Sequence, residues 1–134
     1  MTKSLEDYIE VVYVLIHEKR RARVRDIATT LKVKMPSVVK ALTELKRLAL
    51  VTQEPYGDVE LTAKGRRIAT IILNRHNKIR EFLMQLGVSR RIADKDACLM
   101  EHILSAETMD KIRDYLKKGP PQPKAPALRM EVRA

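Results

Sequence analysis

Three side chains that commonly bind metal ions lie close together in the last third of the sequence: the thiol of Cys98, the carboxyl group of Glu101 and the imidazole of His102. Residues separated by three and four positions share one face of a helix, so a helical segment would present the three groups together. Such a trio is half of a site for a divalent transition metal. His76 offers a second imidazole earlier in the chain.

Two carboxyl groups near the N-terminus, those of Asp7 and Glu10, are three residues apart and could supply hard oxygen ligands. Each candidate also has a simpler explanation. Ser4 and Asp7 have the spacing of a capping box, which stabilises a helix start without a metal. Glu10 is compatible with a surface carboxylate, His76 with a hydrogen-bonded histidine at a dimer interface, and Cys98 alone with a small core residue.

The elements that position these groups are predicted to be mostly helical. In the first half of the chain, apolar residues at helical spacing indicate helices at about residues 5–18, capped by Ser4, and 24–31. A third helix begins at Pro36, which suits a first helical position, and continues to Leu48. The pattern then changes to two short strands at residues 50–54 and 59–61, joined by a turn.

The second half of the chain is predicted to be helical throughout. Thr62 caps a long helix that reaches Leu86, and Gly87 ends it. Two further helices are expected at about residues 89–104 and 106–118, the second capped by Ser105. Four of the six prolines lie between Pro120 and Pro126, so we expect an extended or disordered tail.

The order helix, helix, turn, helix and hairpin is that of a winged helix-turn-helix, in which the last helix reads the major groove of DNA. We expect Val38, Val39, Leu42 and Leu45 to face inward, with Lys34, Ser37, Lys40, Thr43 and Lys46 outward. The predicted DNA contacts are Arg23, Arg25, Lys34, Pro36, Ser37, Lys40, Tyr56 at the wing tip, and Lys64. The alternative is that these cations form an ordinary solvated surface.

Composition supports a nucleic-acid partner. The 134 residues carry a formal net charge of +10, and 45% of them are hydrophobic, enough to form a core.

The longest apolar stretch, Val11 to Ile16, is far too short to span a membrane, so a cytoplasmic protein is expected. A single cysteine excludes an internal disulfide. A metalloenzyme is disfavoured because no HExxH motif, nucleophile elbow or phosphate-binding loop is present.

Several short motifs occur together and in a fixed order along the chain: Glu6-Asp7-Tyr8-Ile9-Glu10 with Tyr13, Ala22-Arg23-Val24, Asp26-Ile27-Ala28, Pro36-Ser37-Val38, Leu61-Thr62, Lys64-Gly65, Arg75-His76 and Glu101-His102. In this combination they resemble the diphtheria toxin repressor and manganese transport regulator (DtxR/MntR) family of metal-dependent repressors. The resemblance covers about residues 4–118. It implies a mostly α protein with a winged helix-turn-helix domain (1–70), an all-helical metal-binding and dimerisation domain (71–118) and a proline-rich tail (119–134), without the SH3-like domain of longer members.

The resemblance also implies a set of metal ligands: Asp7, Glu10, His76, Cys98, Glu101 and His102. Asp7 and Glu10 match the manganese branch, whereas Cys98 occupies a position that is usually Cys in the iron branch and Glu in the manganese branch. The set is therefore a hybrid. Arg80 stands where the iron branch has an acidic ligand of a second site, which argues against that version of an ancillary site.

The function implied is that of a homodimer that binds palindromic operator DNA, with half-sites about 34 Å apart, and represses metal-uptake genes when the metal is plentiful. Carboxylates and imidazoles suit Mn(II) and Fe(II), and the thiol shifts the preference toward Fe(II), Co(II) or Zn(II). We expect Fe(II) as corepressor, with Mn(II) next. The alternative is a winged-helix regulator that uses no metal and responds to a small ligand. Glu101 and His102 decide between these interpretations.

Overall fold

The computed structural model describes residues 1–121, so most of the predicted tail, residues 122–134, lies outside the described part of the chain. It forms two compact units, a first unit of Met1–Asn77 and a second unit from Lys78 onward. The division falls inside a long helix, seven residues beyond the domain boundary predicted at residue 70. No helix among the described residues combines the length and apolar character needed to cross a membrane.

Six helices and one antiparallel pair of strands are present in residues 1–121, which confirms the mostly α fold with a winged helix-turn-helix first. In chain order they are α1 (Lys3–Lys19), α2 (Val24–Leu31), α3 (Met35–Arg47), β1 (Val51–Gln53), β2 (Val59–Leu61), α4 (Ala63–Gln85), α5 (Arg90–Met100) and α6 (Ala106–Lys118).

Helix α1 begins earlier than the apolar pattern predicts. The hydroxyl Oγ1 of Thr2 accepts a hydrogen bond from the backbone N–H of Leu5 at 3.2 Å, so Thr2 is the N-cap and Ser4 lies within the helix. The predicted Ser4 cap is wrong, because the backbone turns helical at Lys3, before the apolar period starts. The capping-box explanation for Asp7 is removed as well, since the third helical residue is Leu5.

The first unit is built around a core that α1, α2, α3 and the hairpin share. Ile9 and Val12 from α1, Ile27 from α2 and Leu45 from α3 are fully buried in one cluster. Each such side chain stabilises the fold by roughly 1.5–3 kcal/mol relative to exposure. The hairpin pairs Val51 with Leu61 and joins the segment before α2 through the bond from Val59 N–H to the Ala22 carbonyl, at 2.8 Å. This packing buries one face of α3 and leaves the opposite face exposed.

Helix α3 differs from the prediction in two respects. It begins at Met35, so Pro36 is its second residue, and it ends at Arg47, with Leu48 as C-cap. Val39 is exposed and not inward-facing as predicted. At about 100° per residue it lies one step around the helix from the buried Val38, beyond the edge of the packed face.

The start of α4 is locked against the hairpin. Thr62 is the cap as predicted: its Oγ1 accepts from Gly65 N–H at 3.0 Å and donates to the Ala49 carbonyl at 2.7 Å. Gly65 lies so close to the chain before β1 that a Cβ there would stand 2.1 Å from the Leu50 carbonyl oxygen. At the other end Gly87, with φ +99°, ends the helix as predicted.

The second unit packs the last part of α4 against α5 and α6. Ile79, Ala97, Met109 and Ile112 form its core. Ser105 caps α6 as predicted, accepting from Thr108 N–H at 3.1 Å. Helix α5, however, ends at Met100 and not near residue 104.

The early end of α5 has a local cause. The Met100 carbonyl accepts hydrogen bonds from Ile103 and Leu104 in a tight turn, and Ser105 must be extended to cap α6. Glu101 and His102 therefore lie at the end of α5 and in the turn that follows, not on a continuous helical face with Cys98.

Candidate functional site

The side chains predicted to contact DNA all lie in the first unit and all are exposed: Arg23, Arg25, Lys34, Pro36, Ser37, Lys40, Tyr56 and Lys64. Thr43 and Lys46, predicted to face outward from α3, are exposed as well. Exposure makes contact with an anionic partner possible, and the individual contacts stay predictions.

The charge on α3 is arranged to favour an anion at its N-terminal half. No acidic residue lies in its first turn, Lys34 is its N-cap, and Lys40 lies in its second turn. The one carboxylate of the helix, that of Glu44, is hydrogen-bonded by the Arg47 guanidinium, which holds the pKa of Glu44 below its ordinary value. Because Arg47 balances this negative charge in the last turn, the field around Lys40 stays positive.

The wing is held to the helical part by a contact that sequence reasoning missed. The guanidinium of Arg21 donates from Nε and Nη2 to the two carboxylate oxygens of Asp58, at 3.0 and 2.8 Å. These hydrogen bonds hold the pKa of Asp58 below its ordinary value. The two residues are 37 positions apart, so no local pattern signals the pair. Tyr56 stands fully exposed at the tip of the same wing.

Lys64, which follows the wing and is predicted to contact DNA, also makes a contact within the protein. Its Nζ donates to the Leu48 carbonyl at 3.4 Å, and Arg66 donates from Nη1 to the Leu61 carbonyl at 3.1 Å. Both cations therefore help to fix the hairpin against the start of α4 while remaining exposed.

The first unit contains one pair of potential metal ligands that the fold brings together. A carboxylate oxygen of Glu10, on α1, lies within 4.8 Å of a ring nitrogen of His76, on α4. His76 is buried and Glu10 is partly buried, so the pair is shielded from bulk water. Asp7 lies one turn before Glu10 on α1 and is also partly buried.

The second unit contains a similar pair. The Glu101 carboxylate oxygen Oε1 lies 3.2 Å from His102 Nε2, and their side chains are only 1% and 4% exposed. Cys98 is exposed, and within residues 1–121 no group of three ligand atoms mutually within 4.8 Å includes its sulfur. The predicted arrangement of Cys98, Glu101 and His102 on one helical face is wrong, because α5 ends at Met100.

The donor chemistry fits a divalent transition metal. Each unit has a carboxylate and an imidazole close together, and burying a carboxylate is costly unless a cation or hydrogen bonds compensate it. Oxygen and nitrogen donors of this type suit Mn(II), Fe(II) and Zn(II).

Arg80 is engaged in an ion pair within the second unit. Its Nη1 lies 3.0 Å from Asp94 Oδ1, which joins α4 to α5. A guanidinium carries no lone pair to offer a metal, so Arg80 is not a ligand.

Two family profiles match nearly the whole chain. The N-terminal DNA binding domain of the iron dependent repressor family matches residues 1–59, and the metal binding and dimerisation domain of that family matches residues 62–124.

Full-length relatives agree with these profiles. The HTH-type transcriptional regulator MntR of Geobacillus kaustophilus is 40% identical over 116 residues, which are 87% of this chain and 82% of that protein. An uncharacterized HTH-type transcriptional regulator of Methanocaldococcus jannaschii is 36% identical over 120 residues, 88% of this chain and 96% of the relative.

Solved structures share the fold. IdeR of T. acidophilum superposes with a TM-score of 0.77 at 25% identity, over 90% of this chain and 63% of that one. The manganese regulator SloR superposes with a TM-score of 0.74 at 26% identity, over 90% of this chain and 56% of that one. This chain thus spans less than two thirds of either solved regulator.

Profiles, relatives and fold agree, and the donor chemistry and the exposed reading helix are what a metal-activated DNA-binding protein requires. The chain belongs to the DtxR/MntR family of metal-dependent transcriptional repressors, which bind operator DNA as homodimers and are not enzymes.

Proposed function

We propose that this repressor switches off metal-uptake genes and that Fe(II) is its preferred corepressor, with Mn(II) next. The observation that carries the metal dependence is the buried pair of Glu101 and His102, with oxygen and nitrogen 3.2 Å apart. A carboxylate buried to this extent is expensive to keep unless it serves a bound cation or a strong hydrogen bond.

The proposed ligands are Asp7, Glu10, His76, Cys98, Glu101 and His102. Three observations support the set: the proximity of Glu10 to His76, the proximity of Glu101 to His102, and the match of all six positions to the ligand pattern of one or the other branch of the family. A bound divalent cation would supply positive charge that compensates the carboxylates among its ligands.

The first unit contains a route by which a change at Asp7 or Glu10 reaches the DNA-reading helix. Both residues lie on α1, whose buried face, with Ile9 and Val12, shares one core with Leu45 of α3. Close-packed interiors transmit displacement because they contain little free volume. An altered position of α1 is therefore felt by α3.

The energy required is moderate. To change the DNA-competent fraction from about 1% to about 99%, the competent conformation must hold the metal roughly 5.5 kcal/mol more tightly than the other conformation does. Linkage then requires operator DNA to tighten metal binding by the same factor by which the metal tightens DNA binding.

The preference for Fe(II) rests on Cys98. Carboxylates and imidazoles accept Mn(II) and Fe(II) alike, while a thiolate favours Fe(II), Co(II) or Zn(II) over Mn(II). The matching profiles are those of iron dependent repressors. The similar solved structures, however, include a manganese regulator and a manganese-dependent repressor in complex with manganese, the second with a TM-score of 0.77 at 25% identity. Repression of uptake genes is carried over from the family by analogy.

The test is an anaerobic metal titration of operator binding, with bound metal counted per chain. We expect Fe(II) and Mn(II) to stimulate binding of the wild-type protein and a chelator to abolish it. His102→Ala should lose the stimulation while keeping the wild-type circular dichroism spectrum. Unchanged DNA binding in chelator would refute metal activation and favour a metal-independent regulator.

Cys98→Glu tests the choice of metal. If the thiol is a ligand, replacing it with a carboxylate should shift the activation preference toward Mn(II). Lys95→Glu is the matched control, because it adds a carboxylate at an exposed position on the same helix. An unaltered rank order of metals in Cys98→Glu would exclude Cys98 as a ligand and remove the basis for preferring Fe(II).

A further inference from the structure

Apolar side chains are exposed at the point where the helix-turn-helix should meet DNA. Val33, Met35 and Val39 are 37%, 49% and 53% exposed, all within seven residues of the turn and the first half of α3. A single exposed apolar residue is common on protein surfaces and needs no explanation. Three within seven residues, next to the cations Lys34 and Lys40, indicate that this surface contacts a partner.

Val39 lies on the outward face of α3, on the side of that face nearer to the buried Val38 and Leu42. Pro36, Val39, Lys40 and Thr43 are related by steps of three and four residues, so they share one face of the helix, and all four are exposed. Val39 is the fifth residue of α3, and recognition helices contact base edges with their N-terminal residues.

This face of α3 offers fewer hydrogen-bond donors than its residue types suggest. The hydroxyl of Thr43 donates to the Val39 carbonyl of its own helix at 2.9 Å, so its proton is already used. Pro36 and Val39 have no side-chain donor or acceptor. Among these four side chains, Lys40 is therefore the one with donors available for a base edge, while Pro36 and Val39 form an apolar part of the face.

The major groove has one apolar feature that such a surface can recognise. Thymine presents its C5-methyl group there, while the other edges are hydrogen-bond donors and acceptors. We infer that Val39 is a specificity-determining residue that contacts a thymine methyl group in each operator half-site. The inference rests on the DNA-reading role of α3 in the proposed function, but not on the identity of the metal.

The experiment is a cycle of protein and DNA substitutions. An operator is selected from random duplex DNA with the full chain, in the presence of Mn(II), and each thymine is then replaced by uracil, which lacks only the methyl group. Binding is measured by fluorescence anisotropy at one fixed salt concentration. The proteins are wild type, Val39→Ala, Val39→Thr and a control, Ile71→Ala, which truncates another exposed apolar residue, on α4.

We expect one thymine per half-site at which uracil weakens wild-type binding about fourfold, the effect of losing one methyl group from an apolar contact. Val39→Ala should bind the thymine and uracil operators equally, Val39→Thr should keep part of the discrimination, and Ile71→Ala should keep all of it. Because Val39 is exposed, its truncation should leave the fold intact, and circular dichroism checks this.

Two results would overturn the inference. One is a wild-type protein indifferent to uracil at every position, and the other is Val39→Ala with undiminished discrimination. Neither result touches the proposed function as long as Mn(II) still stimulates operator binding. Failure of that stimulation, with the methyl discrimination intact, would instead refute metal activation and leave the role of Val39 standing.

Discussion

Gly65 is the residue at which helix propensity and tertiary packing predict opposite effects. It lies in the first turn of α4, where replacing glycine with alanine would ordinarily stabilise a helix by about 1 kcal/mol. The structure predicts the reverse for Gly65→Ala. The added Cβ would stand 2.1 Å from the Leu50 carbonyl oxygen and 3.2 Å from Leu61 Cδ2.

The magnitude follows from the space available. Cβ atoms essentially never approach another heavy atom within 3.0 Å, so the 2.1 Å contact must open by at least 0.9 Å. The clashing atom is backbone, and it already accepts a hydrogen bond from Thr62 N–H at 3.0 Å. Overpacking of this kind costs about 1–3 kcal/mol, and we expect the upper end of that range. After the propensity gain, the net loss is about 2 kcal/mol, which is roughly 10 °C in Tm.

The assay is urea and thermal unfolding of the metal-free protein by circular dichroism, together with operator binding of the metal-loaded protein. Arg67→Ala, an exposed change in the same stretch of α4, is the control and should alter stability by less than about 0.5 kcal/mol. A Gly65→Ala protein as stable as wild type would show that the close approach of α4 to Leu50 is absent in solution and would refute the reasoning.

Three further predictions concern the same unit. Thr62→Ala removes the acceptor for the Gly65 N–H and should destabilise the protein by about 1 kcal/mol in the same unfolding assay, with an unchanged result arguing against the cap. Lys40→Ala should weaken operator binding at every salt concentration and reduce the slope of log affinity against log salt. It should not alter metal affinity in the absence of DNA, and unchanged operator binding would mean that α3 does not read the operator. The lowered pKa of Asp58 means that its contact with Arg21 stabilises the protein above the ordinary pKa and is lost as the pH falls through the lowered value. Asp58→Asn should therefore make Tm less sensitive to acid below about pH 4, the ordinary pKa of an aspartate, and an identical pH profile would contradict the contact.

Much of the fold could be predicted because its elements have simple periods. The apolar spacing located six helices and a hairpin, and the caps at Thr62 and Ser105 were identified from residue type. Such features are local: a helix buries one face at a period of 3.6 residues, and a hydroxyl before it accepts a backbone N–H.

The incorrect predictions all concern the ends of helices or the edges of their buried faces. The sequence predicts Ser4 and not Thr2 as the cap of α1, places Val39 in the core, and extends α5 through Glu101, and the structure contradicts all three. Periodicity reports that a face is buried, but it does not report where the neighbouring elements stop covering it. The ends of helices and the edges of buried faces are decided by competing contacts that come from other parts of the chain.

The candidate site divides in the same way. Residue type and spacing predict Cys98, Glu101 and His102 as candidate metal ligands and the basic residues of α3 as candidate DNA contacts, because few residue types bind metals or phosphates. Only the tertiary structure brought Glu10 to His76, tied Arg21 to Asp58 across 37 residues, and turned Val39 outward on the reading helix. Those relations join residues far apart in the chain or depend on what packs nearby, and a linear pattern carries no record of distance in space.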